Sequence, residues 1–174
     1  MRKYFMVICL LVLTNYFANA QFTSVMVAVD GLTCSACSYA TQKSLFELDF
    51  VADVQMDLNT HIATVTFKTD KKISIDKIAQ KVIDAGFSVG SLNAVFNFKE
   101  VTVSNDYCLT YEGDVYRFIS TKEKTLSGSS SIKFIGEKFM RKKDFKKWKG
   151  QMSGTCSSKD SINSTSKIYF VTPA

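Results

Sequence analysis

The apolar residues between Phe22 and Leu92 switch repeatedly between a period of two and a period near 3.6, and that order leaves few folds open. In residues 22–30, FTSVMVAVD, the alternation of Val25, Val27 and Val29 predicts a strand with one buried face. From Ala36 the spacing turns helical, with Thr41, Leu45 and Leu48 on one stripe and Gln42, Lys43 and Glu47 elsewhere. VADVQMDL alternates again, Asn59-Thr60-His61 makes a turn, and IATVTF returns as an antiparallel partner. Ile75, Ile78, Ala79, Val82 and Ile83 then share one face of a second helix, with Ser74 as its cap and Gly86 as its left-handed stop. Residues 87–92 predict a last strand.

The order β-α-β-β-α-β predicts a ferredoxin-like split arrangement over residues 21–93, in an α+β chain. Residues 94–174 read differently. NFKEVTVS, DVYRFIST, SSIKFIGEKF and KIYFVT predict strands, separated by YEGD, the run LSGSSS and the polar stretch 157–166. These predict a second, small, mostly-β domain, an OB-like barrel with one basic helical segment. That segment, EKFMRKKDFKKWKG, surrounds Phe139, Phe145 and Trp148 with lysine and arginine. Phe145 and Trp148 at i and i+3 are expected to face inward while the lysines are solvated, with steering toward an acidic partner as the functional alternative.

Arg2 and Lys3, the apolar run that follows and Ala18-Asn19-Ala20 predict a cleaved secretory signal over residues 1–20. Cys9 leaves with it. The expected product is secreted, and periplasmic if the source is a Gram-negative bacterium. With 46% hydrophobic residues and a net charge of +6, the chain is globular and basic. Asn163-Ser164-Thr165 is a glycosylation acceptor only in a eukaryotic host.

Cys34, Cys37, Cys108 and Cys156 remain for an oxidising compartment, and four cysteines allow three pairings. Cys34 and Cys37 share one loop between the first strand and the first helix. Thiolates select Cu(I), Hg(II) and Zn(II) over hard cations. Cys37, in the first helical turn, meets backbone N–H groups that favour its thiolate.

GLTCSAC after a valine-rich strand, the hairpin VQMDLNTHIATVTF and the helix IDKIAQKVIDAGF together resemble the heavy-metal-associated domain over residues 23–92. Exported mercuric-ion-binding proteins and copper chaperones are the members it looks most like. The resemblance implies that Cys34 and Cys37 hold a soft ion, Cu(I) or Hg(II) ahead of Zn(II), and pass it on by ligand exchange without catalytic turnover. It implies a metal-donating or metal-accepting protein as partner, a membrane transporter among the candidates, and no nucleic acid; a monomer is expected. The family motif usually carries methionine where this chain has Leu32, a side chain that packs beneath the loop. The topology brings His61 and Phe87 to the same end of the sheet. His61 is a further candidate ligand or a solvated turn residue, and Phe87 shields the site or simply fills the core.

Two other functions fit a C-x-x-C pair. A thiol-disulfide oxidoreductase usually resembles W-C-G-P-C with a cis-proline, whereas Ser35-Ala36 lies between these cysteines and Pro173 is the chain's one proline. An adaptor that senses metal and docks a membrane complex is the third reading. Cys108 and Cys156 bracket much of the second region and are expected to form a disulfide that ties its ends. The alternative is a zinc site built from all four cysteines.

Overall fold

The computed structural model describes residues 21–153, 156 and 166–174. The expected signal segment and the Asn163 acceptor lie outside them. Strand β1 (Gln21–Asp30) leads through the cysteine loop into helix α1 (Ser35–Phe46). Strands β2 (Val51–Asp57) and β3 (Ile62–Phe67), helix α2 (Ile75–Asp84) and strand β4 (Ser88–Val103) follow. Strands β5 (Cys108–Tyr111), β6 (Asp114–Phe118) and β7 (Lys124–Ile135) precede helix α3 (Lys142–Trp148) and strand β8 (Ile168–Pro173). No helix among the described residues is long and apolar enough to cross a membrane.

The period switches become the β-α-β-β-α-β order directly. Val25, Val27 and Val29 are buried on the face of β1 that the helices cover, as are Ala63 and Val65 of β3 and Leu92 and Ala94 of β4. Leu45 of α1 and Ile75, Ile78, Ala79 and Val82 of α2 fill the space between sheet and helices. Ile83, expected on that stripe, is 40% exposed. Eight residues past Ile75 a helix has turned about 80° from its starting direction, whereas Val82 remains in line. Ser74 stands at the N-cap of α2, yet its side chain makes no capping bond. Gly86 supplies the stop, with φ +89° and its N–H donating to the Ile83 carbonyl at 2.9 Å.

Among the described residues, the separate barrel expected for residues 94–174 is not found. All eight strands form one sheet in the order β2-β3-β1-β4-β7-β8-β6-β5, and the boundary drawn between residues 93 and 94 falls inside the 16-residue strand β4. The cause is visible in the side chains. Leu92, Ala94, Phe96 and Phe98 alternate without a break on the buried face, so one strand serves both halves. β1 pairs with residues 88–97 of it and β7 with residues 93–103, so the stretch 93–97 is flanked on both sides.

Beyond β7 the sheet curls over its own apolar face. Tyr111 of the edge strand β5 meets Phe22 of β1 and Phe96 of β4, with ring centroids 5.3 and 5.6 Å apart. Tyr116 of β6 meets the same two rings at 5.8 and 5.7 Å. Among the described residues, the two edge strands β2 and β5 are not paired with each other, so the sheet stays open. The run LSGSSS, expected as a separator between strands, is ordered within one, and a further strand forms at CLTY. The run LSGSSS lies within β7, where residues 128–131 pair with residues 95–98 of β4; hydrogen bonding holds a serine-rich segment that propensity alone disfavours. CLTY forms β5, whose partner β6 follows a tight turn through Glu112 and Gly113, both with positive φ.

The basic segment forms α3, with Phe145 and Trp148 packed against Ile119, Ile135 and Met140. The inward reading of these aromatics is the one observed.

Candidate metal site

Cys34 is the N-cap of α1, extended at φ −151° and ψ 159°. Its carbonyl accepts from the N–H groups of Cys37 and Ser38 at 3.1 and 3.2 Å, and its Sγ accepts from the Cys37 N–H at 3.3 Å. A cysteine here replaces the usual serine or aspartate oxygen with sulfur, so a backbone donor already points at the thiol. Both thiols are free; Cys34 is exposed and Cys37 half-buried against the core. The Cys37 pKa is lowered, first by hydrogen bonding to the Cys34 side chain, against an opposing desolvation, with further donors at the Thr33 backbone, the Thr33 hydroxyl and the Cys34 backbone.

The support beneath is specific. Ser38 and Thr41 are polar yet buried, and each returns its hydroxyl to a cysteine carbonyl: Ser38 Oγ to Cys34 O at 3.5 Å and Thr41 Oγ1 to Cys37 O at 3.1 Å. Sequence reasoning placed Thr41 on the apolar stripe but gave Ser38 no role; the serine four residues after a cap was the available signal. Leu32 is 6% exposed and belongs to the hydrophobic core. Gly31 has φ +96°, and a Cβ there would lie 3.7 Å from the Phe87 ring. The loop therefore runs directly over a half-buried Phe87 that also joins the core.

His61 stands in the β2–β3 turn with φ +56°, and its carbonyl accepts from the Val29 N–H at 2.9 Å. Asp57 shapes this turn by accepting from the N–H groups of Asn59 and Thr60 at 2.8 and 3.2 Å. His61 lines an open depression of about 320 Å³ with Leu32, Thr33, Cys34, Ser35, Ser38 and Leu58. The imidazole thus shares a depression with Cys34, while Cys37 is not part of its lining. Among the described residues, no group of three or more His, Cys, Asp or Glu side chains is placed to hold a metal ion.

Cys108 and Cys156 are joined in a disulfide, with Cα atoms 6.0 Å apart across a separation of 48 residues. They are not brought to the Cys34–Cys37 loop.

Residues 26–88 match the heavy-metal-associated domain. The mercuric transport protein periplasmic component of Pseudomonas aeruginosa is 37% identical over 68 residues, which are 39% of this chain and 74% of that protein. The chain belongs to the heavy-metal-associated domain family. The copper chaperone CopZ of Bacillus subtilis is 36% identical over 61 residues, 35% of this chain and 87% of that one. Among solved structures, oxidised MerP from Ralstonia metallidurans is 35% identical, covers 40% of this chain and 96% of its own, and superposes with a TM-score of 0.34. The heavy-metal-associated match stops at the start of β4, so β5 to β8 and α3 are an addition to the family domain.

One ion pair links that addition to the base of the loop. Arg141 donates from Nε and Nη2 to the two carboxylate oxygens of Asp30 at 2.5 and 2.6 Å. The guanidinium holds the Asp30 carboxyl below the usual carboxylate range, with Lys143 adding to the effect. Gly90 makes room for this carboxylate, because a Cβ there would come within 2.8 Å of Asp30 Oδ1.

Proposed function

We propose that this chain captures a soft metal ion between Cys34 and Cys37 and passes it to another protein by thiol exchange, with no catalytic turnover. The observation that carries the reading is the pair of free thiols at the start of α1, one exposed and one half-buried, with backbone donors directed at them. Sulfur ligands favour Cu(I) and Hg(II), with Zn(II) next. The names of the relatives from Pseudomonas aeruginosa and Bacillus subtilis support the same two ions.

Exchange follows from the unequal exposure of the thiols. An incoming thiol meets the ion on the Cys34 side, loses its proton and adds as a further ligand. Cys34 then leaves and takes up a proton, and Cys37 follows in the same way. No electrons change hands. The partner supplies two thiols and donates or accepts the ion; a membrane transporter suits that role. The Cys108–Cys156 disulfide supports an exported protein in an oxidising compartment, as does the periplasmic designation of the first relative.

Titration of the reduced protein with Cu(I) or Hg(II) against a competing dithiol tests the reading. One ion per chain is expected to bind tightly, and Cys34→Ser with Cys37→Ser is expected to remove that binding while circular dichroism stays unchanged. Undiminished affinity in the double variant defeats it.

A further inference from the structure

The segment Gly136 to Lys149 builds a ledge beside the metal loop. Met140 forms a β-bridge with Ser91, the Arg141 N–H reaches the Gly90 carbonyl at 3.4 Å, and Phe139 packs against Phe134 and Tyr169. Lys138 reaches across to Gln80 of α2 at 3.4 Å. Between ledge and domain lies an open cavity of about 450 Å³. Ile83, Phe87 and Met140 give it apolar walls, and Lys138, Arg141 and Lys142 stand among its polar ones. Phe87 is the ring over which the cysteine loop runs, so the cavity adjoins the site.

Charge is concentrated on this ledge. Residues 137–149 carry seven basic side chains and two acidic ones, an excess of five against six for the whole chain. Asp144 pairs with Lys147, and Arg141 is committed to Asp30. Among the described residues, Lys138, Lys142, Lys143, Lys146 and Lys149 have no carboxylate within salt-bridge distance. All five are exposed. The aromatic side of α3 is already used against Ile119 and Ile135, which leaves lysines rather than an apolar face for a partner to meet.

From this geometry we propose that the ledge and its cavity form a docking surface for an acidic protein segment, whose carboxylates pair with Lys138, Lys142 and Lys143 while an apolar side chain enters between Phe87 and Met140. That the docked segment belongs to the protein exchanging the ion rests on the function proposed above; the surface itself does not. Opposite charges speed the encounter, and the apolar cavity fixes its position beside Cys34 and Cys37.

Trp148, the chain's one tryptophan, sits in α3 and reports binding without any metal. The test uses the metal-free, reduced protein and a synthetic thiol-free peptide of alternating glutamate and leucine, with a glutamine-for-glutamate version as control. Reversal of Lys138, Lys142 and Lys143 to glutamate is compared with reversal of Lys99, Lys122 and Lys124, exposed lysines elsewhere on the molecule, so that net charge is matched. The acidic peptide is expected to change Trp148 fluorescence and to shift the Phe87 and Met140 amide resonances of the wild type. Its affinity is expected to drop about tenfold or more in the ledge variant and about threefold or less in the other. Equal losses in the two variants, no binding to the wild type, or tighter binding to vesicles of anionic phospholipid would overturn the proposal. Should the ledge variant fail to fold, the resonances that shift in the wild type decide between the ledge and any other basic surface. A protein that binds this peptide but no soft metal keeps the ledge and loses the proposed function, and the reverse result does the opposite.

Discussion

Two helices cover the apolar face of the sheet in the first half of the molecule, while in the second half the sheet covers itself. Leu45 and Val82 of the helices share one core with Val25 and Val65 of the strands in the first half; in the second, Tyr111 and Tyr116 fold back onto Phe22 and Phe96. The cysteines differ in the same way. In the first half both are free and sit on a loop at a helix start, and in the second both are consumed in tying β5 to the chain before β8. A helix laid on a sheet leaves its end and the loop before it open for chemistry. A rolled sheet with aromatic contents has no such end and uses its sulfur for cohesion.

The sharpest way to break this contrast is to remove each cysteine pair in turn. Cys108→Ser with Cys156→Ser opens a 48-residue loop and is expected to cost about 4 kcal/mol by the chain-entropy relation, read by urea denaturation. Soft-metal affinity should stay as in the wild type. Cys34→Ser with Cys37→Ser should do the reverse, losing the metal at only a small stability cost, since Cys34 is exposed and Cys37 no more than half-buried. A stability loss shared equally by the two variants would erase the distinction.

The halves meet at α2 and β8, where Asp76 accepts from the Tyr169 hydroxyl at 2.9 Å and from Lys167 at 2.5 Å. Asp76→Ala strands the largely buried tyrosine hydroxyl and is expected to cost about 1 kcal/mol of unfolding free energy, read as a lower urea midpoint. Arg141→Ala removes a partly exposed, solvent-screened pair and should lower the stability only slightly, by less than Asp76→Ala does. The sign with pH follows from the lowered Asp30 carboxyl: its contribution is present above the unfolded carboxylate value and disappears as pH falls through the lower folded one. Wild type and Arg141→Ala should therefore converge in stability in strong acid.

For the thiols, the lowered Cys37 value predicts a thiolate absorbance that appears at lower pH than for an ordinary cysteine. Replacing Cys34 with alanine removes the largest cause and should move the transition upward. A transition that does not move would return the effect to the loop backbone.

Legibility in the sequence followed the same division. Wherever one face of an element is buried and the other wet, the period shows, and Val25, Val27, Val29, Ile75, Ile78 and Val82 were all placed by it. β6 was legible as a strand in DVYRFIST, but every residue from Asp114 to Phe118 is buried, Arg117 included, so no alternation told which face is inward. The second half of β7 was legible in SSIKFIGEKF, but its first half hides behind Gly128 and neighbouring serines that only their ladder partners hold in a strand. The division at residues 93 and 94 came from treating one long strand as two, a distinction that depends on which strands flank it. The position of the cysteine loop and of the residues around it was easier to read. Cys34, Cys37, Leu32, Phe87 and His61 are local to turns whose ends the topology gathers, whereas the Asp30–Arg141 pair spans 111 residues and leaves no local trace.

The sulfur-only character of the site is the central claim, and X-ray absorption at the metal edge of the reduced protein loaded with one equivalent of Cu(I) or Hg(II) tests it most directly. The account predicts a first shell of sulfur alone, unchanged in His61→Ala and absent from Cys34→Ser with Cys37→Ser. A nitrogen scatterer that disappears with His61, or a sulfur shell that survives loss of both cysteines, would contradict it.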